Sequence, residues 1–291
     1  MKKILITGAR GFLGKNLVEH LHTKANLLLP NYQQLDLTKE IAVKEFLNKH
    51  QPEVIIHSAG VGIGRNENQP NIIQENLVMF ENLVKCSKDF GKLIFCGSGA
   101  VYDKARPIIK INEEEFGKVV PKDPYGIYKY KCAEKILESS NMVDLRMFGV
   151  FGKYEDYKTR FISNAICKAL LNLPIQIFKN VKFEYLFVED WVKIVEYFVL
   201  HGSQFNNYNV GNGKPVSLLE IAEKIKELFN PDLQIVVLSE ESGNEYSCDV
   251  SRLTNELNNF EFTAMDESLK RLYNWYSQNL SQIDKASLVE Q

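Results

Sequence analysis

The sequence predicts an α/β fold: a doubly wound parallel sheet, with a smaller α/β domain interleaved with it toward the C-terminus. Three observations carry the prediction. Short apolar runs alternate with segments of helical period as far as Phe148, the first run ends in a glycine-rich turn that opens a helix, and the texture changes after Phe151, where Gly152 to Arg160 is charged and aromatic.

Lys3 to Thr7 reads as a strand ending at Gly8, and Leu13, Leu17, Val18 and Leu21 mark the helix that follows. Asn26 to Leu29 is a second strand, stopped by Pro30, and Thr38 is expected to cap a helix through Ile41, Val43, Phe46 and Leu47. Strand Glu53 to Ile56, helix Ile72 to Ser87, strand Lys92 to Cys96, helix Tyr125 to Ser139 and strand Asp144 to Phe148 continue the alternation. Beyond Phe151 the strands, Ile175 to Phe178 and Gln234 to Leu238, are scattered among helices, which suits a lid. The expected division is 1–151, rejoined by 184–210, as the sheet domain, and 152–183 with 211–291 as the second domain.

The 291 residues are enough to bury a large core with a cleft, since a chain of this size hides roughly three quarters of its unfolded surface. Charge is balanced, with 35 Lys+Arg against 37 Asp+Glu and no basic block, so neither nucleic acid nor a membrane surface is an expected partner. Cys86, Cys96, Cys132, Cys167 and Cys248 have no ligand spacing and read as reduced thiols, with no metal site. Lys2-Lys3 is followed by a strand rather than a leader, and no apolar run reaches the ~20 residues of a membrane span, so a cytoplasmic protein is expected.

Gly8, Gly11 and Gly14 lie between a strand and a helix, where chemistry requires glycine to hold a dinucleotide. The first permits the tight turn, the second lets backbone approach a pyrophosphate, and the third lets helix pack on strand, as in a Rossmann domain. The end of the second strand, Pro30-Asn31-Tyr32, offers no carboxylate for ribose hydroxyls, while Arg10 in the turn suits a 2'-phosphate. NADP(H) is therefore favoured, with NAD(H) as the other possibility. Downstream, Tyr125 and Lys129 stand at i and i+4 on one helix face, and Ser98 follows a strand. Moving a phenol from its pKa of about 10 to neutrality takes about three units, or roughly 4 kcal/mol, for which a nearby ammonium is a source.

Taken in order, these motifs resemble the extended short-chain dehydrogenase/reductase family, in its nucleotide-sugar epimerase, dehydratase and reductase branch. TGARGFLG (Thr7 to Gly14), LDLT (Leu35 to Thr38), VIIHSAG (Val54 to Gly60), Asn76 in QENLVMFENLV, GSGAVYD with Ser98, DPYGIYK with Tyr125 and Lys129, LRMFGVFG, FEYLFVEDW with a helix cap near Asp190, and YNVGNGKPVSLLEIA carry the resemblance over nearly the whole chain. It implies Ser98, Tyr125 and Lys129 as catalytic residues. The implied cofactor residues are Gly8, Arg10, Gly11, Phe12, Leu13, Gly14, Asp36, Leu37, Ser58, Ala59, Gly60 and Asn76, with Tyr125 and Lys129. Arg160 and Asn164 would meet the diphosphate of a nucleotide-diphosphate sugar, and Lys179 and Arg252 are further basic candidates.

LDLT and the stretch Val61 to Pro70 are most similar to the GDP-L-fucose synthase group, with two departures. Those enzymes carry an epimerising cysteine where this chain has Ala100 and a histidine after the catalytic helix, whereas no histidine occurs between His57 and His201. Gly99 and Ala100 also replace the acidic pair that dehydratases need beside Ser98. The resemblance thus leaves a nucleotide-sugar 4-keto reductase using NADPH on a 4-keto-6-deoxy sugar, a redox-neutral 4-epimerase with tightly held NAD, or a non-catalytic dinucleotide-binding protein. It also implies a homodimer packed through the helices after Ile72 and Tyr125, with Met79, Phe80, Leu83, Cys132 and Ile136 either in that interface or in the core.

Overall fold

A computed structural model describes residues 1–61 and 70–289 of the chain. Positions 62–69, most of the stretch Val61 to Pro70 noted above, lie outside the described residues. The strands are, in chain order, β1 (Lys3–Thr7), β2 (Asn26–Leu28), β3 (Val54–His57), β4 (Lys92–Ser98), β5 (Ile108–Ile111), β6 (Met142–Met147), β7 (Val150–Phe151), β8 (Ile175–Ile177), β9 (Lys182–Phe183), β10 (Leu186–Phe187), β11 (Asn207–Val210), β12 (Val216–Ser217), β13 (Ile235–Val237) and β14 (Tyr246–Cys248). The longer helices are α1 (Phe12–Leu21), α2 (Glu40–His50), α3 (Pro70–Lys85), α4 (Pro124–Leu137), α5 (Phe161–Leu170), α6 (Val188–Leu200), α7 (Leu218–Phe229), α8 (Ser251–Leu257) and α9 (Met265–Gln278).

Six strands form one parallel sheet in the order β11-β6-β4-β3-β1-β2. Side chains alternate across it, as the period of two demands. Ile4, Ile6, Ile56, Ile94, Val143 and Leu145 pack on one face with Leu17 of α1 and Trp191 and Val195 of α6. Leu5, Ile55, Leu93 and Phe95 pack on the other with Val43 and Leu47 of α2, Phe80 and Leu83 of α3, and Tyr128 and Cys132 of α4. Strands buried on both faces explain the unbroken apolar runs. The fold is thus the doubly wound α/β sheet that the sequence predicts. Met79, Phe80, Leu83, Cys132 and Ile136 are core residues of the single chain.

β11 joins the large sheet beside β6, while β12-β9-β14-β5 form a separate four-stranded sheet and β13 pairs with β8. One strand from the first half, β5, is therefore built into the smaller sheet. Two expected caps are corrected. α2 begins at Glu40 with Lys39 as its N-cap, because the Thr38 N–H and hydroxyl both donate to Asp36 at 2.9 and 2.6 Å. α6 is capped at Phe187, and the buried Asp190 carboxylate instead accepts the Thr263 N–H and hydroxyl at 2.7 and 2.8 Å, tying α6 to the approach to α9. All five cysteines are free and buried, and no described helix is long and apolar enough to cross a membrane.

A polar network fastens the carboxyl end of the sheet. The fully buried Arg146 of β6 donates from Nε to Asp144 at 2.8 Å and from Nη1 to the Tyr102 hydroxyl at 2.9 Å, which donates to Asn209 of β11 at 2.8 Å. The guanidinium also stacks 4.3 Å over the Phe116 ring. Burial pushes the Asp144 carboxyl above its ordinary range while Arg146 pulls it back down. Asp144→Ala would leave the guanidinium buried without its counter-charge, and a loss of about 3–5 kcal/mol in urea unfolding is expected. A loss below about 1 kcal/mol, as at an exposed pair, would contradict that account.

Candidate active site

The order of the large sheet reverses at β1, whose successor β2 lies on one side and β3 on the other. Open α/β sheets form their ligand crevice at such a switch point, outside the carboxyl ends of the strands. Here the glycine turn leaves β1 and Ser58 to Gly60 leave β3. Gly8 has φ +75°, a left-handed conformation, and a β-carbon on it would stand 2.6 Å from the Ala59 nitrogen. A β-carbon on Gly14 would stand 2.1 Å from the Gly8 carbonyl oxygen. Gly11, the N-cap of α1, closes the turn by donating to that same carbonyl at 3.0 Å.

No side chain caps α1, and no acidic residue occupies its first turn. Its first N–H groups therefore face the crevice with the positive end of the helix dipole, which suits a pyrophosphate. Arg10 and Gly11 are exposed, and Phe12 and Leu13 are half-buried against the core. The backbone and the donor set fit a dinucleotide. The loop after β3 is braced from below: the Ser58 hydroxyl donates to the Thr7 carbonyl at 2.7 Å, and the buried Asn76 amide brackets the Val61 peptide, accepting its N–H and donating to its carbonyl, both at 3.0 Å. Asn76 thus acts on the loop.

At the expected adenine end, both Asp36 carboxylate oxygens are engaged, one by Thr38 and the other by the Tyr32 hydroxyl at 2.9 Å. These hydrogen bonds hold the carboxyl below its ordinary range against the opposing effect of burial. Leu37 is buried in the core, and its carbonyl accepts from Asn82 at 2.9 Å. A cavity of about 300 Å³ lined by Thr38, Gln74, Glu75 and Val78 opens beside this turn. A larger cleft, about 670 Å³, lies at the amino ends of the central strands near Lys2, Gln51 and Lys92, away from all these residues.

Ser98 is the last residue of β4, and its Oγ accepts the Ala100 N–H at 3.1 Å. Asp123 caps α4 by accepting the Gly126 N–H at 2.9 Å, and Pro124 occupies the first turn, so Tyr125 enters at the very start of the helix. Lys129, one turn later, is buried. Its Nζ donates to the Cys96 carbonyl at 2.7 Å, two residues before Ser98, and lies 5.8 Å from the Tyr125 ring centre. It also sits 4.4 Å from the Phe95 and 4.9 Å from the Tyr128 ring centre. Burial, reinforced by Lys129, drives the neighbouring His57 down to about 3, so that imidazole is neutral and accepts or donates only within its 2.7 Å contact with Thr7.

One group was missed by sequence reasoning. Half-buried Tyr246 of β14 brings its hydroxyl against Gly99, the residue after Ser98, 2.6 Å from where a β-carbon there would stand. The substrate-side candidates fare differently. Arg160 is exposed at the N-terminus of α5, near a Glu155 carboxyl that burial pushes up to about 8. The Asn164 amide donates to the Tyr157 carbonyl at 3.0 Å. Arg252 is occupied elsewhere, bonded to Asn207 and Glu114 and stacked 4.4 Å over Phe205, and Lys179 pairs with Glu241 at 2.9 Å.

Known proteins are similar to this chain. The chain is 27% identical over 257 residues to GDP-L-colitose synthase of Yersinia pseudotuberculosis, covering 78% of this chain and 82% of that one. It is 27% identical over 248 residues to GDP-L-fucose synthase of Sinorhizobium fredii, covering 76% and 78%. Among solved structures, the GDP-mannoheptose C4 reductase of Campylobacter jejuni with NADP bound superposes with a TM-score of 0.82 at 21% identity, over 95% of this chain and 98% of that one. Residues 4–211, spanning the glycine turn, Ser98, Tyr125 and Lys129, match a single family description, and the chain belongs to the NAD dependent epimerase/dehydratase family.

Proposed function

We propose that the protein is a nucleotide-sugar 4-keto reductase that uses NADPH to convert a GDP-linked 4-keto-6-deoxy sugar into the 4-hydroxy sugar. The observation that carries this reading is the grouping of Ser98, Tyr125 and Lys129 beside the crevice of the glycine turn, with no ionisable side chain at Gly99 or Ala100. Bound NADPH supplies the hydride to the carbonyl carbon. The Ser98 hydroxyl donates a hydrogen bond to the carbonyl oxygen, and Tyr125 gives its phenolic proton to the alkoxide as it forms. The Lys129 ammonium stabilises the resulting phenolate until solvent reprotonates it. Reduction at C4 needs no further acid or base, whereas epimerisation at C3 and C5 does.

The guanine nucleotide is taken from the names of the similar synthases. Residues 152–183 and the segment from 211 onward would close over the sugar nucleotide, with Arg160 and Asn164 toward its diphosphate, and the homodimer would pair α3 and α4. Incubating the protein with GDP-4-keto-6-deoxymannose and NADPH is expected to consume one reduced nicotinamide per sugar reduced. If the protein instead retains NAD and interconverts two nucleotide hexoses without consuming NADPH, it is the 4-epimerase.

The absence of a carboxylate after β2 and the exposed Arg10 favour NADP(H). A charge-assisted hydrogen bond to the 2'-phosphate contributes about 1.5–3 kcal/mol, so Arg10→Ala should weaken NADPH binding roughly 10- to 100-fold and leave NADH binding unchanged. Equal losses for the two cofactors in calorimetry would remove Arg10 from the 2'-phosphate.

A further inference from the structure

A second ammonium group stands against Tyr125. Lys104 lies in the short link between the turn that follows Ser98 and β5, and its Nζ sits 5.4 Å from the Tyr125 ring centre, as near as the 5.8 Å of Lys129. The link is tightly made. After Ser98 the chain runs through one turn of 3-10 helix (Gly99–Tyr102) in which every residue is buried. It then reverses at Asp103, which holds a left-handed φ of +66°, uncommon for a residue with a side chain. The Asp103 carboxylate accepts the Ala105 N–H at 3.2 Å, its carbonyl accepts the Arg106 N–H at 3.3 Å, and Arg106 Nε donates to the Tyr102 carbonyl at 3.4 Å. The Ile108 N–H anchors the far end of the link by donating to the Glu245 carbonyl of the small-sheet half at 2.8 Å. Lys104 therefore leaves a backbone fixed at both ends. Its side chain is exposed, and no described carboxylate pairs with it.

Neither ammonium duplicates the other. Lys129 is buried and its Nζ is tied to the Cys96 carbonyl at 2.7 Å, whereas Lys104 meets the ring from the solvent side on a different element. We propose that Lys104 is a positioning residue of the reacting centre that acts through Tyr125: its charge over the ring stabilises the phenolate that forms when Tyr125 gives its proton to the alkoxide. A neutral phenol offers a cation only the quadrupole of its ring, and a phenolate offers a full negative charge. The contact therefore strengthens as the proton leaves. An interaction that grows between ground state and transition state raises kcat and leaves substrate binding alone. Lys104 exchanges no proton with the sugar, and Tyr125 remains the donor.

The inference rests on the reduction proposed above, and two measurements keep the two ideas apart. The first needs no substrate: NMR of the wild type should show a nuclear Overhauser contact between the Lys104 ε-methylene and the Tyr125 ring, absent from Lys104→Met and from Tyr125→Leu. A wild type without that contact overturns the inference whatever the protein reduces. The second is turnover. Lys104→Met keeps the stem and removes the charge, and should lower kcat roughly 5- to 20-fold with KM and NADPH affinity unchanged, a modest effect because water weakens an exposed charge. Lys104→Arg should restore kcat to within about threefold of wild type, since it returns the charge. The gap between wild type and Lys104→Met should narrow in about 1 M salt, where the screening length falls to about 3 Å. In a Tyr125→Phe background Lys104→Met should cause no further loss, because no phenolate forms there. A Lys104→Met kcat within twofold of wild type, a loss confined to KM, or a loss that arginine does not restore would overturn the inference. A wild type that shows the contact and leaves the ketone unreduced would instead overturn the choice of substrate.

Discussion

Replacing Tyr125 by phenylalanine is expected to lower kcat for the sugar-nucleotide ketone by about 10²- to 10⁴-fold, the range that a positioned general acid contributes. That is roughly 3–5 kcal/mol of transition-state stabilisation at 1.36 kcal/mol per decade. The substitution removes one oxygen and little else. The ring keeps its edge contact with Tyr128, whose centroid is 6.3 Å away, and its place beside the Lys129 ammonium. Asp123 still caps the helix that carries it. Melting temperature and NADPH affinity should therefore match the wild type, which separates a chemical loss from a structural one. Turnover within threefold of wild type would show that another group supplies the proton, and the assigned mechanism would be wrong.

What the sequence disclosed follows the distance over which each feature is determined. The glycine turn is local: strand, turn and helix lie within Lys3 to Leu21, and the requirement for glycine is written into consecutive residues. Ser98, Tyr125 and Lys129 are farther apart, but each stands at the end of a strand or the start of a helix, where its element delivers it. Tyr246 has no such mark. It reaches Gly99, beside Ser98, because β14 pairs with β9 and, across more than a hundred residues, with β5, and no local pattern announces those pairings. Thr38 and Asp190 were misread for the converse reason. Each has the composition of a helix cap, but a partner drew its polar atoms away: Asp36 took the Thr38 donors, and Thr263 filled the Asp190 carboxylate. Arg252 is held by tertiary partners that the sequence does not announce, Asn207 and Glu114.

The glycines of the turn should separate by role when each receives a single methyl group. Gly14→Ala is expected to destabilise the fold and eliminate measurable NADPH binding, whereas Gly11→Ala should weaken binding alone. On Gly14 the new carbon would lie 2.1 Å from the Gly8 carbonyl oxygen and 2.6 Å from the Ala9 α-carbon. Both are backbone atoms, so no side chain can swing aside and the turn itself must open. Gly8 already sits at φ +75°, where even a β-carbon would stand 2.6 Å from the Ala59 nitrogen, so the turn has little room to absorb the shift. Overpacking of this kind costs about 1–3 kcal/mol and displaces the N–H groups that face the crevice. On Gly11 the nearest atom to the new carbon is the same carbonyl oxygen at 3.4 Å, an ordinary contact, and the backbone there is extended at φ -78° and ψ 178°. The protein should fold unchanged, but the methyl group would occupy the space through which a pyrophosphate reaches the start of α1. Losing one charge-assisted hydrogen bond there corresponds to a roughly 10- to 100-fold weaker Kd. Melting curves and NADPH fluorescence titrations on both variants measure the two effects separately. A Gly11→Ala protein that binds NADPH as tightly as wild type would mean that the pyrophosphate does not pass over this turn, and a Gly14→Ala protein of wild-type stability would mean that helix and strand do not need the close approach the structure shows.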